Sequence, residues 1–431
     1  MRKSAFLWEI FSEESENRQL GWTDGHPSLQ VSANKNAACA RVIKNGKLGI
    51  FTMAGAGKKQ WPGLIKKAES LTPWAPVDKY HQLAPKESQG DDFISNDRNI
   101  FKSSPEDWFD RFRLLEKKLK KLDSRIKKII KFQTTEKFST RFLSNSWGHS
   151  FEESDSFAGF SVEILANEGS STEVAWDFSG HRFIDDVNVE NLAEETAKSA
   201  LQSLGGSSIV SGSYTLLLHP RVVIQLMSLL ENALSAASVL RNRSFLKNKL
   251  GEKIASSVIT VFDDPHLEKG AASRIFDDEG VRSKKISVIE NGFLKNYFYD
   301  LKSSAEHKTI SNGRAAKPSI GAIPIPQSTN FFIEPSDHTF DHLISSDKKV
   351  FLVHEVMGLH MADPVTGEFS LGASGFLYQD GKFKKPVRGV TIAGTILEIF
   401  KKVSHAGRDF TWYSGKGAPS LLVKDIIVSG N

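Results

Sequence analysis

Apolar residues recur along this chain with two periods. Between residues 106 and 131, Phe112, Leu115, Leu119, Leu122, Ile126 and Ile129 return every three or four positions, which predicts one amphipathic helix. The same spacing predicts a helix over 189–204, with Leu192, Thr196, Ala200 and Leu204 on one side, Asn188 as N-cap and Gly205-Gly206 as the stop. Val222, Val223, Leu226, Leu229, Leu230, Ala233 and Ala237 predict a long helix after His219, and Ile392, Ile396, Ile399 and Val403 a late one over 391–403. Leu64, Ile65, Ala68 and Leu71 mark a shorter one.

Elsewhere the pattern reads as strands: 138–143, 157–166, 171–178, 214–219, 258–262, 285–290, 293–299, 350–353, 376–379 and 421–428. Asn45-Gly46, Asn291-Gly292 and Asp380-Gly381 sit between apolar runs and predict tight hairpin turns. The elements group into an N-terminal α+β module (1–85), a linker (86–105) within a proline-bearing polar stretch, a helix–strands–helix module (106–206) and a C-terminal domain (207–431). The fold class expected is α+β: an N-terminal α/β part with mixed sheets and helices, then a β-rich curled sheet or barrel with two long helices.

Composition adds limits. At 431 residues, 39% hydrophobic and 25% charged, the chain can bury sizeable cores. Its net charge of +5 is too mild to imply nucleic acid. Ten Lys and Arg fall between Arg111 and Lys131, but a solvated helix face accounts for them, so neither nucleic acid nor a membrane surface is expected as a partner. Cys39 is the only cysteine, which excludes an intramolecular disulfide and thiolate-rich metal sites. No stretch approaches the roughly 20 apolar residues of a membrane span. The start resembles a signal peptide, but Glu9 interrupts its apolar run, so a cytoplasmic location is expected.

The densest chemistry-shaping segment is Gly358 to Gly375, which holds four glycines between two apolar runs. The candidate path or interface residues are Gly358, His360, Thr366, Gly367, Phe369, Ser370 and Gly375 of this segment, together with Asp277, Asp278 and Glu279. His354-Glu355…His360 looks like a zinc motif stretched by two residues. At i and i+6 the histidines diverge by about 120° on a helix, or stand roughly 20 Å apart along a strand, so no zinc is expected there. Asp263-Asp264-Pro265 and Phe276-Asp277-Asp278-Glu279-Gly280 are acidic clusters that could do acid–base work or hold a hard cation, or could simply shape turns. No phosphate-binding loop, serine elbow or cysteine–histidine signature is present.

Several of these pieces together resemble the TldD/PmbA family, once called modulators of DNA gyrase. They are the 205–220 segment with its following helix, Asp263-Asp264-Pro265, Phe276 to Gly280, Ser311-Asn312-Gly313, Gly358-Leu359-His360 with Thr366 to Ser370, Lys385 to Gly389, and Ala418 with the run to Gly430. The likeness covers the C-terminal domain, is weaker over residues 29–71 and is weakest in the basic helix. In the family, TldD-type subunits carry H-E-x-x-x-H on the helix after the first C-terminal strand, with a late cysteine as a further zinc ligand. Here that place reads His219-Pro220-Arg221-Val222-Val223-Ile224, and the late cysteine is missing. His219 is thus the only residue left at the family's zinc place.

The resemblance therefore implies the PmbA (also called TldE) side of the family: a subunit with no cofactor and no catalytic residue of its own. Zinc is expected in a TldD-like protease partner, and unfolded peptides are the expected substrate. Three alternatives stay open: a stand-alone peptidase with an unrecognised site, a nucleic-acid-binding regulator, and a homodimeric peptide-binding protein.

Overall fold

The computed structural model describes residues 6–87 and 96–431. The first five residues of the leader-like start and residues 88–95 of the expected linker lie outside them. The N-terminal half is one six-stranded antiparallel sheet, ordered β3-β2-β1-β4-β5-β6. Its strands are β1 (Leu7–Thr23), β2 (His26–Lys44), β3 (Lys47–Ala54), β4 (Ile126–Asn145), β5 (Ser150–Glu168) and β6 (Ser171–His181). Asn45 (φ 51°) and Gly46 (φ 71°) turn β2 into β3, and Asp24 (φ 40°) and Gly25 (φ 94°) turn β1 into β2. Positive φ at both central positions suits the right-handed twist of a hairpin. β1 pairs with β4 from Glu9–Asn145 to Trp22–Phe132, so strands on either side of the 86–105 segment share one sheet.

Three helices cover one face of that sheet: α1 (Trp61–Leu71), α2 (Pro105–Leu122) and α3 (Val189–Ser203). Ser104 and Asp107 form a reciprocal capping box at the start of α2, with Pro105 in its first turn. Trp108, Phe112, Leu115 and Leu119 of α2 pack on Trp22, Phe132 and Phe160. Asn188 caps α3 through its side chain, as expected.

The helix expected over 106–131 ends at Leu122. Leu122 is exposed, and Ile126 and Ile129 belong to β4. The cause is a pair of register shifts in β4, at Ile126/Lys128 and Ile129/Lys131. Each bulge adds a residue, so buried positions recur at 126, 129 and 132 and imitate a helical period.

The C-terminal half contains a closed five-stranded barrel. Its strands are β7 (Gly212–Leu218), β8 (Lys349–Met357), β9 (Glu368–Gln379), β10 (Lys382–Thr395) and β11 (Leu421–Ser429), in the order β10-β9-β8-β7-β11. Pairing of Thr391 with Ser429 and Ile392 with Val428 closes it. The long helix α4 (Pro220–Leu234) packs Val223, Met227 and Leu230 into the main core. The late helix is shorter than expected: Ile392 is still on β10, and only Ile396–Lys401 is helical, capped by Thr395. The strand expected over 293–299 is limited to Phe293–Leu294. Among the described residues no helix is long and apolar enough to cross a membrane.

Candidate functional site

Two parallel strands build the site. β7 and β8 run side by side from Thr215–Val350 to Leu218–Val353. The next residue on each strand is a histidine, and the His219 amide continues the ladder by donating to the Val353 carbonyl at 3.0 Å. The rings of His219 and His354 consequently meet, with centroids 4.6 Å apart.

His354 sits at a bulge where the β8–β9 register slips between Val353 and Glu355. Gly375 makes the bulge possible. A Cβ there would lie 1.9 Å from the Leu352 carbonyl oxygen and 2.9 Å from the His354 nitrogen, so only glycine fits. Phe376 then meets the His354 ring edge-on at 5.8 Å.

His219 is also the N-cap of α4: its Nδ1 accepts from the Arg221 amide at 3.3 Å, and Pro220 occupies the first turn. With Nδ1 as acceptor, the neutral ring carries its proton on Nε2. Burial holds His219 well below the usual imidazole range, and the charges of His354 and Arg221 add to this. Burial and Arg221 hold His354 down to about 4. Both rings are therefore neutral at neutral pH.

Arg221 is buried beside them. It donates to the Trp176 carbonyl at 2.7 Å, pairs with Asp177 at 3.2 Å and lies 4.9 Å over the Trp176 ring. Trp176 in turn donates to Glu355 at 2.7 Å. Burial and the nearby Asp177 push the Tyr413 phenol up to about 12. His219, Arg221, His354, Asp177, Tyr378 and Tyr413 line a cavity of about 510 Å³ between the barrel mouth and the N-terminal sheet.

The cavity offers neutral imidazoles and a compensated guanidinium. Pro220 can neither bind nor polarise water, and Ile224 is buried in the core. Among the described residues no three His, Cys, Asp or Glu side chains are arranged to hold a metal ion. Two imidazoles fall short of the three protein ligands of a catalytic zinc site, so the donor set does not fit one. Cys39 is buried in β2, in the N-terminal sheet.

The other sequence-predicted residues lie in two places. Gly358 (φ 87°) and Gly367 (φ 76°) frame the loop from β8 to β9. Asp363 shapes that loop by accepting from the Val365 and Thr366 amides. His360, Thr366 and Ser370 are exposed on or beside the loop, whereas Phe369 is buried in the barrel core. His360 does not join His354; His219 does.

Asp277, Asp278 and Glu279 fasten the C-terminal half to the N-terminal sheet. Asp278 pairs with Arg141 of β4, and Glu279 with Arg41 of β2 at 3.3 Å. Asp277 accepts from the amides of Glu279, Val281 and Ala315. Burial pushes Asp277 up to about 6 and Glu279 to about 8. Asp263 is likewise buried, against Arg314 and Thr329. Sequence reasoning missed Asp177, Arg221 and Tyr413; it weighed His354 against His360, set that pair aside, and did not bring His219 to it. The signal within reach was that His219 and His354 each directly follow an apolar strand run.

The chain matches the PmbA/TldA metallopeptidase C-terminal domain over residues 211–430 and the corresponding central domain over 98–204. It is 33% identical to an uncharacterized protein of Methanocaldococcus jannaschii over 262 residues, spanning 60% of either chain. A metalloprotease of the same organism is 26% identical over 422 residues, 95% of this chain and 92% of its own length. The crystal structure of TldE from Thermococcus kodakarensis superposes with a TM-score of 0.91, covering 98% of this chain and 97% of that one; at 21% identity it shows likeness of fold. The C-terminal match spans half the chain and includes the β7–α4 junction and the glycine-rich loop, and on that ground the chain belongs to the PmbA/TldD metallopeptidase family.

Proposed function

We propose that this chain is a PmbA/TldE-type subunit that acts with a zinc-bearing TldD-like partner on unfolded peptides in the cytoplasm. One observation carries the reading. At the β7–α4 junction His219 spends its Nδ1 on capping the helix, Pro220 stands where a water-activating glutamate would be, and Ile224 is buried where a second ligand would project. Hydrolysis needs a group that activates water or attacks the carbonyl, and this place supplies neither.

The role left to the chain is surface. The exposed loop with His360 and Thr366, beside the barrel mouth, borders either the peptide path or the contact with the partner. The test is to mix the purified chain with a TldD-like protein and measure the mass of the species by light scattering. A stable one-to-one complex is expected. Only homodimers, whatever the mixing ratio, would favour the self-paired alternative.

A further inference from the structure

A cleft of about 710 Å³ lies away from the histidine pair, between the N-terminal sheet and the C-terminal half. Its floor is the middle of the sheet face opposite the helices. Directly paired residues form polar rows there: Ala37, Glu13, Arg141 and Glu153 in one, and Lys35, Ser15, Ser139 and Asp155 in the next. Part of these rows fastens the two halves, Arg141 to Asp278 and Glu153 to the Ile275 amide, and the remainder faces the open cleft.

The charges of this cleft do not cancel. Every carboxylate that lines it is already held: Glu13 by Lys137, Glu153 and Asp278 by Arg141, and Asp155 by Arg182. Among the described residues, Arg274 and Lys35 have no carboxylate within ion-pair distance. Arg274 donates to the Gly313 carbonyl at 3.1 Å, and its buried Nε has no hydrogen-bond partner. Burial lowers its pKa, and the Arg141 and Arg314 charges lower it further against the pull of Asp278 and Asp277. The two carboxylates nearest to it are engaged elsewhere, Asp278 by Arg141 and Asp277 by backbone amides, so the guanidinium is under-compensated and a ligand anion would relieve it.

We propose that this cleft binds a single carboxylate at Arg274, with Lys35 of β2 assisting from the rim. One under-compensated, half-buried cation and one exposed lysine suit a monoanion, and the four carboxylates in the walls disfavour a dianion such as phosphate. A planar carboxylate also matches the guanidinium fork. That the carboxylate belongs to a peptide rests on the peptide-handling reading above; the anion site itself does not.

The experiment uses the full chain alone, without partner or cleavage, so its failure and failure of the proteolytic reading are separable. Two N-terminally labelled, unstructured peptides without acidic side chains, one ending in a free carboxylate and one in an amide, are titrated by fluorescence anisotropy. The acid form should bind at least ~10-fold tighter, the order set by one charge-assisted hydrogen bond. Arg274→Gln should erase that preference. Lys35→Gln, at an exposed position that leaves folding intact, should reduce the preference severalfold, and acetate should compete where inorganic phosphate at equal charge does not. Equal affinity for acid and amide, a preference that survives both variants, or competition by phosphate alone would overturn the proposal.

Discussion

His219 and His354 stand at the ends of two adjacent parallel strands, their rings 4.6 Å apart, although 135 positions separate them in the chain. Their closeness comes from the strand register and from a bulge that Gly375 permits. Their poverty as a metal site comes from the absence of a converging third ligand among the described residues.

Protein purified without a histidine tag should carry no stoichiometric zinc at this pair. Elemental analysis checks it. Close to one zinc per chain, lost in a His219→Ala or His354→Ala variant, would contradict the assignment of this chain to the side without metal.

Gly375→Ala should destabilise by about 1–3 kcal/mol or more, because the added methyl meets the Leu352 carbonyl. Gly358→Ala places a methyl in open space and should cost only the left-handed backbone, about 1–2 kcal/mol. Thermal unfolding of both variants checks the order; a milder effect at Gly375 would show that the bulge is dispensable.

Stability should fall on acidification through the His354 range. The ring is neutral in the folded chain down to about pH 4, whereas an unfolded histidine protonates near pH 6.5. Unfolding therefore takes up a proton between these values. The contribution is intact above about pH 6.5 and lost as pH drops toward 4, by at most about 3 kcal/mol. Glu279, pushed up to about 8 by burial, has the opposite trend, so the comparison is wild type against His354→Phe. An unchanged slope of stability against pH between 6.5 and 4 in the variant would refute the burial argument.

Leu119 is fully buried on α2, and Leu119→Ala should cost about 2–5 kcal/mol. Lys117 and Lys121 are exposed, and alanine at either should shift stability by no more than about 0.5 kcal/mol. Lys120 differs, since it bridges Glu116 and Asp24. Steeply salt-dependent DNA binding that the lysine changes abolish would overturn the solvated-face reading of this helix.

Local chemistry was legible. Asn45-Gly46, Asn291-Gly292 and Asp380-Gly381 all take up the positive φ pairs of hairpin turns, and Asn188 caps its helix. What local pattern could not reveal was of two kinds. Bulges in β4 disguised a strand as the end of a helix. Of the mid-strand residues of β1, Glu13, Ser15 and Asn17 line a cleft rather than a core, and Ser12, Glu14, Glu16 and Arg18 between them are polar as well, so no apolar alternation announced the strand. The candidate site divided in the same way. Gly375 was visible as one of a cluster of glycines, but its partner His354 and the Arg221–Asp177 pair depend on long-range packing. The acidic 277–279 cluster was visible too, and its task proved to be fastening the two halves together.

The central claim is that this chain contributes surface while a partner contributes zinc. The most direct measurement assays cleavage of an unstructured peptide by this chain alone, by a TldD-like protein alone and by the two mixed. Cleavage should appear, or rise strongly, only in the mixture, and should vanish with a chelator. Vigorous, chelator-resistant cleavage by this chain alone would contradict the account.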